Sequence, residues 1–503
     1  MKLLNRPVFF PPLIFLLLTV GYSLFDPEGF LQIARAANQW ILDHVGWLFS
    51  WGTFSFVVML AVVYVSPLGK VRIGGADARP ILTKWRWFAI TLCTTIATGI
   101  LFWGPAEPLH HLHNPPAGLG FASSSAQAAT FSLSTMFMHW TITPYAMYTI
   151  AGLVFAIAYY NLKQPFSLGS MVYPLVGGHS HGVLGKVIDT VCLYGLVAGM
   201  AASLGTGLLS ITGGLETVLG IEQSRFSMAL IALAIVATFI ISSASGLMKG
   251  IRLLSDINAK AFIGLATFVF IFGPTVYMLQ EGGRGLLDFL MNFVPRSVTL
   301  DAGIDEKWLG SWTIFYWANW LAWTPITALF LGQLSVGYTV RNYIRMNLLF
   351  PSLFSGLWMM IFGGASMKMD MTGEGSLFGL MQLKGEENVI YSILGSLPWG
   401  HVVSGVFLVI MFISFVTAAD SNTSAMSGIS TRGITPENPE APFLIKLIWG
   451  LLIGTIAYVM VSTAGVDGIK MMSILGGFPS LFLVIAVAFG VVKLMGMAQR
   501  GEL

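Results

Sequence analysis

The feature that most constrains this chain is a succession of apolar runs about as long as a bilayer is thick. A helix needs roughly 20 mostly apolar residues to cross about 30 Å of hydrocarbon. Such runs recur at 8–25, 47–65, 86–104, 127–160, 184–213, 226–248, 259–280, 311–333, 346–365, 399–428, 442–463 and 471–496. Backbone groups in lipid must be satisfied within the span, so each run is expected to be helical. A transmembrane barrel alternates apolar and polar residues; these runs are continuous, which excludes one. Only 10% of the 503 residues are charged and the mean hydropathy is +0.77, whereas soluble domains carry about 25% charge. The sequence therefore predicts an all-α polytopic membrane protein with twelve transmembrane helices. The segments 127–160, 184–213 and 399–428 exceed one simple crossing and should be tilted, bent or extended beyond the bilayer.

Orientation follows the basic residues. With the chain starting inside, 18 of the 26 Lys and Arg residues fall in cytoplasmic segments, the bias that sets topology. Both termini are expected in the cytoplasm, in a cell inner membrane. The first residues, MKLLNRPVFFPPLIFLLLTV, imitate a signal peptide, and Ala34-Arg35-Ala36 imitates a cleavage site. The triplet lies well beyond the apolar run, so a retained first helix is the reading. Residues 283–295 form an amphipathic pattern that suits a helix lying on the outer surface. The net charge of +3 is spread over loops, with no basic domain suited to nucleic acid. Cys93 and Cys192 both fall within apolar runs, where the default role is a small buried hydrophobe.

Five groups of residues are candidates for chemistry. Trp317, Trp320 and Trp323 recur every three residues at mid-span and form one stripe. Trp140, Tyr145 and Tyr148 share a broad face, with Pro144 able to loosen the helix between them. Aromatic faces attract quaternary ammonium groups by about 0.5–2 kcal/mol per contact. The competing role is packing or an interfacial belt, which the mid-span position disfavours. Small and hydroxyl residues interrupt the third run (Thr94, Thr95, Thr98, Gly99) and the fifth (Gly195, Gly199, Gly205, Thr206, Gly207). They serve either close helix packing or irregular backbone that binds an ion or substrate. Asp420 is an acid near the end of a run, with Thr417 and Ser421 as nearby hydroxyls; it is either a functional group or a helix brace. The histidines His110, His111 and His113, beside Glu107, lack a specific metal-site spacing. No metal site, catalytic group or cofactor is expected, and nothing matches a triad, a phosphate loop or a zinc motif.

Five segments together resemble the betaine–carnitine–choline transporter family: GILFWGPAEPL (99–109), MHWTITPYAMY (138–148), KGIRLLSDIN (249–258), FYWANWLAWTP (315–325) and TAADS (417–421). The resemblance runs from about Phe9 to the last span. It implies a leucine-transporter-like core of two inverted five-helix repeats, preceded by two accessory helices. The corresponding divisions are 1–85 (accessory helices), 86–281 (first repeat), 282–310 (external amphipathic linker), 311–496 (second repeat) and 497–503 (short cytoplasmic tail). It also implies homotrimers, alternating access and a small betaine-like onium substrate.

The family's aromatic box maps onto Trp140, Tyr145, Tyr148 and Trp320, with Trp323 on the cytoplasmic side. Three positions depart from the family pattern. Asn319 replaces one of two tandem tryptophans, Tyr145 replaces a frequent tryptophan, and His110 stands where carnitine exchangers have a tyrosine; Asn319 and His110 would add hydrogen bonds to the substrate. A coupling-sodium site would use Cys93 and Ile96 in the third span with Ser414 and Thr417 in the tenth. Ala418 removes one of the family's paired hydroxyls there, and Met200 replaces a frequent threonine. Asn258 stands where sodium-independent exchangers carry an arginine. Sodium symport is the favoured expectation and precursor–product exchange the alternative.

Overall fold

The computed structural model describes residues 4–95, 97–244, 247–299, 303–434 and 441–503. These residues are almost wholly helical. Their only β pairing is two isolated bridges, Leu4 with Thr431 and Arg72 with Thr339. Among the described residues, seven helices are long and apolar enough to cross a membrane, or up to nine if each of two bent pairs counts as one span.

The first two helices are peripheral. α1 (Arg6–Phe25) ends at Asp26, whose carboxylate accepts from Gly29 N at 3.0 Å and so caps α2 (Pro27–Val65). Only a third of the most apolar window of α1 is buried, and Leu17, Leu18 and Phe25 are exposed, as a lipid-facing helix requires. The segment Ala126–Asn161 is the opposite, with 94% of its window buried. It forms the centre of the molecule.

The third apolar run is longer than the sequence suggests and is bent. α3 (Lys84–Thr95) and α4 (Ala97–His113) meet at 58°, beside the predicted interruption at Thr94 and Thr95. The run at 127–160 is also two helices, α5 (Ala126–Trp140) and α6 (Ile142–Ala156).

The fifth run is a continuous helix, α7 (Val183–Leu219), and its glycines serve packing. A Cβ on Gly195 would lie 2.5 Å from the Gly476 carbonyl, and one on Gly199 would lie 2.9 Å from the Ala322 Cβ. Of the two roles open to these residues, close approach of helices is the one observed.

α8 (Arg225–Ala244) and α9 (Leu247–Phe272) follow. Gly273 and Pro274 end α9, and the chain turns by 108° into α10 (Thr275–Ser297). The amphipathic helix expected at 283–295 therefore starts earlier. Pro274 lacks the N–H needed to continue α9.

α11 (Phe315–Leu334) is buried along nearly its whole length and packs against α6, α7 and the last helix, α14 (Phe443–Gln499). α12 (Val340–Thr372) and α13 (Gly400–Ile429) complete the bundle with α14 (Phe443–Gln499). Between α12 and α13 lie two short helices, Ser376–Lys384 and Glu387–Gly395. α14 is two helices merged across Gly465, whose φ of 53° breaks the regular geometry.

Candidate functional site

The site begins with a fault in the backbone. Thr141, between α5 and α6, has φ −118° and ψ −111°. Pro144 has no N–H to offer the carbonyl of residue 140, so the helical ladder fails one turn before the proline. The Phe137 carbonyl accepts both the Thr141 N–H at 3.1 Å and the Thr141 hydroxyl at 2.5 Å, which ties the faulted residue to the last turn of α5. The fault sets Trp140 at the end of one helix and Tyr145 and Tyr148 on the next.

α11 crosses this junction and brings Trp320 among them. The Trp320 ring lies 5.6 Å from Trp140, 5.5 Å from Tyr145 and 5.3 Å from Tyr148, centroid to centroid. The interplanar angles of 60–76° make these edge-on walls rather than a flat stack. All four side chains are buried. Trp320 is fixed by its own Nε1, which donates to the His139 carbonyl at 3.1 Å. The four residues mapped to the box are thus one contiguous cluster.

Behind the cluster lies a buried carboxylate. Glu107, on α4, has no exposed surface. Its Oε2 accepts from Trp140 Nε1 at 2.8 Å and from the Tyr316 hydroxyl at 2.5 Å. Its Oε1 faces His139 Nδ1 at 2.6 Å and His111 Nε2 at 3.2 Å. His139 Nε2 in turn meets Thr313 Oγ1 at 3.0 Å. One acid therefore ties α4, α5 and the start of α11 together with charge-assisted hydrogen bonds, roughly twice as strong as neutral ones. An indole that donates to an anion also holds more electron density on its face, which favours a cation against that face. The ligand-capable atoms of Glu107, His111 and His139 lie within 4.8 Å of one another. The histidine nitrogens facing the acid already hydrogen-bond it, so the trio is built as a polar brace.

The histidine triplet noted in the sequence does not converge. His110 turns to Glu386 at 3.3 Å and His113 to Asp370 at 2.6 Å, leaving His111 alone with Glu107. His110 also lies 5.0 Å from the Trp312 ring, outside the four-ring cluster. Asn319 accepts from Ser473 Oγ at 3.0 Å and so is tied to α14. Trp323 borders a small separate void with Met200, Phe415 and Ala418.

The expected ion ligands converge in part. Asn258 on α9 donates to Ser414 Oγ at 2.8 Å and reaches Cys93 Sγ at 3.8 Å, so α3, α9 and α13 meet there. Thr417 lies one turn further along α13 and donates to the Ile413 carbonyl at 2.8 Å. Ile96 lies outside the described residues. Asp420 is buried within α13, nine residues before the helix ends.

Comparison with known proteins agrees with this architecture. The family model described as BCCT, betaine/carnitine/choline family transporter, matches residues 7–500. The chain belongs to the betaine/carnitine/choline transporter family. It is 28% identical over 482 residues to a probable glycine betaine transporter of Desulfitobacterium hafniense strain Y51, covering 95% of each chain. It is 28% identical over 499 residues to an ectoine/hydroxyectoine transporter of Virgibacillus pantothenticus, covering 99% of this chain and 98% of the relative. It is 29% identical over 498 residues to an osmo-dependent choline transporter of Acinetobacter baylyi, covering 97% and 71%. This member of the betaine/carnitine/choline family is a multi-pass membrane transporter and not an enzyme.

Sequence reasoning weighed Glu107 only as a neighbour of the histidine triplet and did not single out His139, Thr313 or Tyr316 in this transporter. Glu107 offered a usable signal, because an acid inside an apolar segment defaults to function. That argument was applied to Asp420 alone. His111 lies one turn away at i+4, but the other partners of Glu107 are 32 to 209 residues distant, where no local spacing reveals them.

Proposed function

We propose that this transporter carries a small betaine-like onium solute across the cell inner membrane by alternating access, as a sodium symporter. The observation that carries the reading is Trp320, held at 5.3–5.6 Å from three further aromatic walls on an adjacent broken helix. Such a box accepts a head group that cannot donate hydrogen bonds. The solutes named for the relatives, glycine betaine, ectoine and choline, are all small molecules with a quaternary or delocalised positive charge.

Twelve crossings with both termini cytoplasmic rest on the apolar runs and the bias of basic residues, and pairing at the two ends fits an even number of crossings between the paired segments. Leu4 meets Thr431, and Arg72 meets Thr339, at one end. Gln223 meets Glu387, and His113 meets Asp370, at the other. In this reading the accessory helices precede inverted repeats in 86–281 and 311–496, and three chains associate. The sodium reading draws on Cys93, Ser414 and Thr417. Sodium-independent exchange of carnitine-like compounds is the second reading. The Asn258 amide, which already donates to Ser414, favours it by competing for that oxygen.

The test is binding of tetramethylammonium and of betaine-like ligands to purified variants. Trp320→Phe should bind more weakly than the parent and Trp320→Leu more weakly still. Each lost contact should cost about 0.5–2 kcal/mol, or about two- to thirty-fold in affinity. An uncharged tert-butyl analogue that binds as tightly as the cation refutes the charge-reading box. For coupling, counterflow in proteoliposomes should require sodium, and Thr417→Ala should raise the sodium concentration that gives half the maximal rate. Uptake by the parent chain that is unchanged without sodium would favour exchange.

A further inference from the structure

The two short helices between α12 and α13, Ser376–Lys384 and Glu387–Gly395, form a strap that packs on α4 and α7. Three titratable contacts hold it. The first is at its root. Asp370, buried two residues before the end of α12, accepts from Phe378 N at 2.8 Å and faces His113 Nε2 at 2.6 Å. The His113 ring stacks on Phe378, with centroids 4.1 Å apart and planes at 13°. Its Nδ1 lies 3.4 Å from the Ser124 hydroxyl and 3.5 Å from that of Ser123. Both ring nitrogens thus face oxygen, which suits an imidazolium, a double donor with no acceptor.

The second contact is His110, on the same face of α4, whose Nε2 is 3.3 Å from Glu386 Oε1. The third fastens the strap to α7. Glu387 is buried against Gly213, where a Cβ would come within 2.7 Å of its Cγ. Gln223 Nε2 bridges Glu387 Oε1 at 3.3 Å and Thr212 Oγ1 at 3.1 Å. Beside it Tyr391 donates its hydroxyl to the Ser210 carbonyl at 2.9 Å. Two other charges face the group. Lys384 lies 3.6 Å from Glu216 at the end of α7, and Lys470 of α14 acts on Glu386; both favour ionised acids around the strap. α4 is also the helix whose Glu107 grips Trp140 of the box, so the strap is fastened to a helix that shapes the site.

We infer that the strap is a proton-operated latch on the outer end of the transporter: protons on His110, His113 and Glu387 fasten it to α4 and α7, and their loss releases it. The inference rests on the reading that this end of the bundle faces outward. All three contacts act in one direction. An imidazolium facing a carboxylate makes a charge-assisted pair, about twice as strong as a neutral one, and loses that advantage with its proton. Burial, with Glu386 and Glu216 as like charges nearby, raises the Glu387 carboxyl from 4.5 to about 7 against the hydrogen bond from Gln223. A group whose value is raised in the fastened state fastens fully below about 4.5 and stops doing so as pH rises through about 7. The outer end is therefore closed by acid and opened by alkali, and solute entry should rise with external pH.

The experiment is maleimide labelling of purified full-length protein at two positions on the strap. Leu377→Cys places a thiol where the side chain is buried and Leu383→Cys one where it is exposed. The ratio of their labelling rates cancels the pH dependence of thiol chemistry and reports release. Between pH 5.5 and 8.0 the ratio should rise about tenfold or more, since Glu387 alone supplies up to about thirty-fold. Adding His110→Gln, His113→Gln and Glu387→Gln together should flatten the rise, and Glu387→Gln alone should cut it about threefold or more. A flat ratio in the parent, or an undiminished rise in these variants, overturns the inference. So does a rise accompanied by labelling of Cys192, which is buried in α7 and reacts only if the bundle itself opens. In intact cells an impermeant maleimide should reach Leu383→Cys from outside. Labelling there only after permeabilisation would remove the outward placement instead, and leave the ratio in purified protein to decide the latch.

Discussion

Substitution of Glu107 separates the two things its carboxylate does, which are to hold helices together and to put negative charge behind the box. Glu107→Leu leaves the Trp140 indole, the Tyr316 hydroxyl and two imidazoles without their shared acceptor. A buried donor left unpaired costs about 1–3 kcal/mol. Four of them approach the whole stability of a typical fold, about 5–15 kcal/mol. Glu107→Leu should therefore fail to accumulate in the membrane.

Glu107→Gln keeps the shape and one carbonyl oxygen. Its amide must turn N–H groups toward one pair of partners. An imidazole can change tautomer and accept, but an indole N–H cannot. The glutamine oxygen should therefore face Trp140 and Tyr316, and the protein should fold. What it loses is charge. Two unit charges held about 8 Å apart by an intervening indole interact by about 2 kcal/mol at an effective dielectric of about 20, or about thirty-fold in affinity. The assay is calorimetric binding of tetramethylammonium and of a neutral tert-butyl analogue, with membrane yield and thermal melting alongside. Selective loss of the cation is the expected result. Unchanged tetramethylammonium affinity in Glu107→Gln refutes the electrostatic part, and normal yield of Glu107→Leu refutes the structural part.

Two other perturbations test the surroundings. Burial pushes Glu387, on the short helix before α13, from 4.5 up to about 7, with Gln223 Nε2 at 3.3 Å as its polar neighbour. The folded chain then keeps a proton that the unfolded chain has released, so stability should fall as pH rises from about 4.5 through about 7, by about 3 kcal/mol at most. Glu387→Gln should flatten that slope in thermal melts, and an unaltered slope counts against it. A Cβ on Gly477 would lie 2.1 Å from the Ala318 carbonyl oxygen, backbone against backbone. Gly477→Ala should cost about 1–3 kcal/mol or more by forcing α14 off α11; a melting temperature equal to the parent's would refute this.

Most helix positions were legible because the apolar runs have a bilayer's length, although the run 259–280 is split by the 108° turn at Gly273 and Pro274, and the four-ring cluster was legible because tryptophan and tyrosine at helical spacing are rarely so concentrated at mid-span. Local chemistry also marked the breaks. Pro144 lies just past the fault at Thr141, and Thr94 and Thr95 lie at the bend before α4. What could not be read was long-range pairing. Glu107 meets His139 across 32 residues, and Lys470 reaches Trp103 from the far end of the sequence, in the last helix. The start of α10 was missed because its amphipathic pattern is diluted near Gly273 and Pro274. The glycines of α7 were ambiguous because the same residues serve irregular backbone and close packing.

The burial of α11 bears on how the protein is made. This helix carries the box tryptophan, yet it is not among the seven helices apolar enough to cross a membrane by composition. Its Asn319, Gln333, threonines and tryptophans dilute the hydropathy that drives insertion of a nascent span. Its cover comes partly from α6 and α7, made earlier, and partly from α14, made more than a hundred residues later. On the ribosome, α11 must therefore wait, half sheltered, for the last helices of the chain. A chain cut short before Phe443 would leave α11 as the part least able to stay in the bilayer.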